Sequence, residues 1–216
     1  MRTRYRDIAM LQLLYIYGGM TLPNSFLCVK PMIEMYKECV ANKTPFMAEK
    51  KMYLANAPQS KPFMPDMYFM GAQKEDPMIQ RMITQMNILE GSNHFQSENE
   101  FCEKMSQWCW EHVRDQAIHL VDGECIGVKT RIGKPILLED LMSDHYLDVD
   151  SSKLYGVYIP SCELLRRPKF QYFAILPVDE VLKTDSVLTK YFKLSMVEGT
   201  NEYYKKRSTL TSMVAI

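Results

Sequence analysis

Side chains that could do chemistry are scattered along this chain rather than gathered. Asp122, Glu124 and Lys129, with Asp66 as a further acid, are the types that hold a metal ion against a phosphate, but the tight Glu-x-Lys spacing is missing and a charged turn between strands accounts for them more simply. His112 and His119 could share a helix face, yet lone helical histidines read as packed or solvated rather than as metal ligands. Trp108 and Trp110 could stack on a sugar or a base. On a helix the two face different ways, so at least one belongs to the core. Glu139, Asp140, Asp144, Asp148 and Asp150 read as exposed surface. The stretch from Gly127 to Gly133 brackets Lys129 and Arg131 without a phosphate-loop pattern, and Lys205, Lys206 and Arg207 read as a solvated cluster.

Composition narrows the classes. With 216 residues the chain is long enough for one compact domain with a real core, and 47% hydrophobic with 24% charged residues is ordinary for a globular fold. Lys plus Arg equal Asp plus Glu at 26 each, so no long-range field draws nucleic acid, and no nucleic-acid partner is expected. The six cysteines contain no Cys-x-x-Cys pair and no zinc spacing, so they read as free thiols of a reducing compartment. The basic start, Met1 to Arg6, leads into an apolar stretch broken by Gln12 without a cleavage region, which does not read as a signal peptide. No apolar run reaches the length of a membrane span. Seventeen methionines fit either a compositional bias of the lineage or adaptable contact surfaces.

Periodicity sets out the elements that must position any site. Ile8, Leu11 and Leu14 give a helix over 6–17 with Gly18 as its C-terminal cap. A strand over 20–29 must be interrupted, bulged or at an edge where Pro23 falls. Pro31 opens a helix to about residue 41, and 46–49 and 63–71 read as strands flanking a polar loop over 55–62. Asp76 and Pro77 start a helix carrying Ile79, Met82, Ile83, Met86 and Leu89 on one face and ending at Gly91. A second helix runs over 98–118. Further on, 125–128, 155–159 and 170–176 read as strands, 135–141 as a turn with a short helix and 161–167 as a helical turn. This divides the chain into an α/β domain over 1–182 and an extension or docking tail over 183–216.

One stretch stands apart from the scattered candidates. Asp7-Ile8-Ala9-Met10-Leu11-Gln12-Leu13-Leu14-Tyr15-Ile16 leads into Tyr17-Gly18-Gly19, and Lys30-Pro31 follow after Pro23-Asn24-Ser25. This resembles the signature of the sugar-nucleotide glycosyltransferases that carry an Asp-x-Asp motif: a helix ending in Tyr-Gly-Gly, a strand with Asp-x-Asp, then Lys-Pro. Gly71-Ala72, ahead of Asp76-Pro77, is similar to the family's small-residue turn before a helix, and 173–177 resembles its late strand. The resemblance implies a GT-A fold, a Rossmann-like α/β sandwich with a mixed sheet flanked by helices, and a Mn²⁺ or Mg²⁺ ion that neutralises the leaving diphosphate of a nucleotide sugar.

The same alignment removes the chemistry. It places Pro23 and Ser25, with Asn24 between, on the two aspartates, and only about seven residues precede the motif where the family has a strand, helix and strand for the nucleotide. The expectation is therefore a truncated, degenerate GT-A-like domain: a pseudoenzyme without catalytic residues, metal or cofactor, reused as a structural or interaction protein. Other protein chains of a larger assembly, for example a virion, are its expected partners. The alternative is an active transferase whose metal ligands come from elsewhere, such as Glu49 or Asp66, and whose nucleotide-sugar pocket another chain completes.

Overall fold

A computed structural model describes residues 2–51, 63–91 and 98–196. The loop expected over 55–62 and the basic cluster Lys205, Lys206 and Arg207 lie outside the described residues. The chain is α/β, with a mixed sheet flanked by helices. Helix α1 (Arg2–Tyr17) leads into β1 (Gly19–Thr21), a turn, β2 (Phe26–Cys28) and α2 (Met32–Val40). Strands β3 (Phe46–Lys51) and β4 (Phe63–Ala72) follow, then α3 (Pro77–Gly91), α4 (Glu98–Arg114) and β5 (His119–Val121). The rest comprises α5 (Leu138–Met142), β6 (Gly156–Tyr158), α6 (Ser161–Arg166), α7 (Pro168–Ile175), α8 (Val178–Val181) and α9 (Val187–Ser195).

The main sheet has the order β1-β4-β3-β5. β4 is antiparallel to both neighbours, and β5 runs parallel to β3. Pro23 interrupts the expected strand: β1 ends at Thr21, and β2 leaves the sheet to pair with β6 in a separate ribbon. Proline has no N–H to give a ladder, so the chain turns there.

Apolar side chains divide over the two faces of the sheet. On one face Ile8, Leu11 and Leu14 of α1, Ile79, Met82 and Met86 of α3, and Phe101, Met105 and Cys109 of α4 pack on Met47 and Met70. On the other, Met35 and Val40 of α2 close over Phe46, Ala48 and Phe69, joined by Phe26, which meets Phe69 edge-on at 4.8 Å. A third cluster gathers Leu141, Val157, Phe173 and Leu188 around the ribbon, with Tyr191 and Phe192 of α9 packed against it.

Three expectations change. Residues 170–176 are helical, not a strand: Pro168 occupies the first turn of α7, and the spacing of Phe170 and Phe173 buries both on one helix face. Residues 125–128 are not a strand either. Asp122 caps a 3₁₀ turn over Gly123–Ile126 by accepting the Glu124 N–H at 2.8 Å, and Gly127 closes it at φ 64°. His119 is not on a helix with His112, because α4 stops at Arg114 and His119 opens β5. No helix among the described residues is long and apolar enough to cross a membrane.

Candidate functional site

The two halves of the sequence motif meet. β1 pairs with β4 in the register Gly19↔Ala72 and Met20↔Gly71, so Tyr17-Gly18-Gly19 and Gly71-Ala72 lie side by side. Gly18 (φ 68°) caps α1 through its N–H to the Leu14 carbonyl at 2.8 Å. A Cβ there would lie 2.7 Å from the Lys74 nitrogen, and one on Gly71 only 2.3 Å from the Phe46 ring. Ala72 is fully buried, and its carbonyl accepts the Tyr36 hydroxyl at 3.0 Å. Tyr17, by contrast, is 75% exposed. Lys30 donates to the carbonyls of Ser151 (3.0 Å) and Ser152 (2.5 Å) and so ties the end of β2 to the turn before β6, while Pro31 stands directly before α2. Gly18, Gly71, Ala72 and Lys30 thus sit at close backbone contacts between elements, while Tyr17 faces solvent.

The turn that follows β1 faces a cavity of about 390 Å³ between α1, the β1–β2 turn and β4. Met10, Leu11, Leu14, Met67 and Met70 supply apolar walls, with Pro23 and Asn24 at the turn. Among the described residues its ionisable ones are Arg6 and Asp7 on α1 and Tyr68 on β4. Asp7 has a side chain only 12% exposed. Its Oδ2 accepts the Tyr68 hydroxyl at 3.1 Å, and its Oδ1 accepts the guanidinium of Arg6 at 3.1 and 3.2 Å. Burial first, then Cys102 and Asp7, push the Tyr68 phenol well above its ordinary range, so it stays a donor.

Ser25 lies on the other side of the turn, towards Tyr158 and Asp66. Burial and then the Asp66 charge raise the Tyr158 phenol, while Ser25 works in the opposite direction. Asp66 is fully buried; its Oδ1 accepts the Tyr68 N–H at 3.1 Å and lies 3.6 Å from Lys50 Nζ, while Oδ2 finds no hydrogen-bond partner among the described residues. Glu49 projects elsewhere. Adjacent strand residues face opposite ways, and it is Lys50 that meets Asp66. Glu49 Oε2 instead accepts the Gly123 N–H at 2.8 Å and Lys129 Nζ at 2.6 Å, and Lys129 also reaches Asp122 at 3.2 Å. Burial works to lower the Lys129 pKa, but Glu49 and Asp122 outweigh it and hold the ammonium above its usual value.

A hard divalent ion wants several oxygen ligands, with at least one carboxylate. Pro23 offers none and Ser25 only a hydroxyl, while Glu49 and Asp66 each face a lysine from different sides of the strand pair. The residues present do not fit the metal of the resemblance. Among the described residues no three His, Cys, Asp or Glu side chains converge as a metal site. The acidic residues are engaged elsewhere: Glu139 pairs with Arg167, Asp140 accepts the Leu137 N–H, Asp144 meets His145, Asp148 meets Arg131, and Asp150 accepts Ser152. His112 stacks on Trp108 with centroids 3.9 Å apart and bonds its carbonyl, and Trp108 packs on the first core cluster.

No protein-family model, curated protein or solved structure matches the chain. Sequence reasoning marked Pro23, Asn24 and Ser25 but missed Asp7 and Tyr68 as partners. They lie on α1 and β4, and only the packing of that helix on that strand joins them.

Proposed function

We propose that the chain is a non-catalytic interaction domain, a glycosyltransferase-like scaffold that serves in an assembly with other protein chains. The observation that carries this reading is the Pro23-Asn24-Ser25 turn beside a methionine-walled cavity, at the place where the resemblance puts two acids. Differential binding of a departing diphosphate needs charge stabilisation there; the turn provides none, and the cavity's cation, Arg6, is engaged with Asp7. The outward face of α1 supports a role in contact. Leu13 (49%), Ile16 (49%) and Tyr17 (75%) are exposed on the C-terminal half of a helix whose inner face buries Leu11 and Leu14, and an exposed apolar patch of this kind marks a contact surface.

Calorimetric titration of the whole chain with Mn²⁺ and a panel of nucleotide sugars tests the reading. Silence is the expected result. Saturable binding of a nucleotide sugar that requires the metal overturns it in favour of an active transferase.

A further inference from the structure

We propose that the cavity between α1 and the β1–β2 turn binds a small ammonium compound with an apolar body, an alkyl or arylalkyl amine; this deepens the non-catalytic reading and rests on it. At about 390 Å³ the cavity is of a size that holds small molecules. Met10, Met67 and Met70 adapt their shape to an apolar guest better than branched side chains do.

The head group is chosen by charge. Among the described residues Asp7 is the cavity's carboxylate, largely withdrawn from water, and Oδ2 accepts one bond from Tyr68 where a carboxylate oxygen can accept about two. A carboxylate in apolar surroundings favours a cation that hydrogen-bonds to it. Arg6 already sits on Oδ1, but it is the next residue along the helix and 63% exposed, and such pairs are weak. An ammonium delivered on an apolar body takes the remaining site on Oδ2 and competes with Arg6 for Oδ1. Anions meet the withdrawn Asp7 charge and find their counter-charge only on exposed Arg6, already paired with it, and neutral isosteres gain only the walls.

The experiment uses the full chain, with phenethylamine, 2-phenylethanol and hydrocinnamate as a matched cation, neutral and anion. Methionine methyl NMR reports occupancy of the cavity and calorimetry the affinity. The amine is expected to bind at least tenfold tighter than the alcohol, and the acid more weakly than either. Asp7→Asn should bring amine and alcohol together. Arg6→Ala should tighten the amine, and Met10→Trp, at a half-exposed position, should block both while circular dichroism stays native. Equal binding of amine and alcohol by the native chain, no binding, or a preference that survives Asp7→Asn overturns the proposal. Metal-dependent binding of a nucleotide sugar would overturn the non-catalytic reading instead. Silence to sugars with no amine preference sinks only the ligand assignment.

Discussion

Gly71 has no room for a side chain. A Cβ there would sit 2.3 Å from Cε1 and 2.5 Å from Cζ of Phe46, a fully buried ring that also meets Tyr36 edge-on. Overpacking of this kind costs about 1–3 kcal/mol. Gly71→Ala is therefore expected to lower the unfolding free energy, read from urea denaturation, by that much; an unchanged free energy would show that Phe46 yields freely. The thiols give a second prediction at this scale. Burial, then Glu38 and Cys125, push Cys39 up to about 11, and burial pushes Cys109 up to about 12. A thiol raised in the folded state keeps its proton while the unfolded chain loses it, so stability falls as pH rises above roughly 9. At neutral pH iodoacetamide should modify exposed Cys162 well before Cys109, read by mass spectrometry of the native protein. Local roles such as the Gly18 cap and the Asp76 cap, which accepts the Met78 N–H at 2.8 Å, were legible because they depend on neighbours in sequence. The Asp7–Tyr68 bond and the burial of Asp66 were not, because they depend on how distant elements dock.

Helices with a clear apolar stripe, α2 and α3, could be read from spacing, as could β3 and β4 from their runs of apolar residues. The failures were short segments. In α7 a run of aromatics satisfies strand and helix patterns alike, and burial of Phe170 and Phe173 decides for the helix. The parallel docking of β5 on β3, and the departure of β2 to join β6, leave no local mark. Glu49 ties β3 to the 3₁₀ turn through the Gly123 N–H and to the stretch of chain beyond it through Lys129, the Glu49 and Lys129 side chains being only 12% and 17% exposed. Glu49→Gln leaves Lys129 with Asp122 alone and should cost about 2 kcal/mol, measured by denaturant unfolding. Because the folded-state pKa of Lys129 is raised, its stabilisation is fully present below the unfolded lysine value and is lost as pH climbs through the folded one. The Glu49→Gln deficit should accordingly shrink above roughly pH 10.4. A deficit constant from pH 7 to pH 11 would mean that Glu49 acts through the Gly123 N–H and not through the ammonium.

At the scale of the whole molecule, β3 and β4 are the common wall of two cores. Met47 and Met70 face the α1, α3 and α4 layer, while Phe46 and Phe69 face α2 and the β2–β6 ribbon. Phe69 is fully buried and carries Phe26 of β2 on its edge, so it links the sheet to the ribbon and, through the ribbon, to the third cluster around Leu188. Phe69→Ala should cost about 3–5 kcal/mol, the lost burial together with the cavity left behind. If the shared wall makes the layers cooperative, hydrogen exchange in this variant should quicken together in α3, which packs in the cluster on the other face of the sheet, and in β2 and β6. Faster exchange confined to the ribbon, with α3 as protected as before, would show instead that the two faces of the sheet open independently. The cavity, lined by α1, β4 and residues 21–24 and by no residue of the ribbon, would then keep its walls while the ribbon opens.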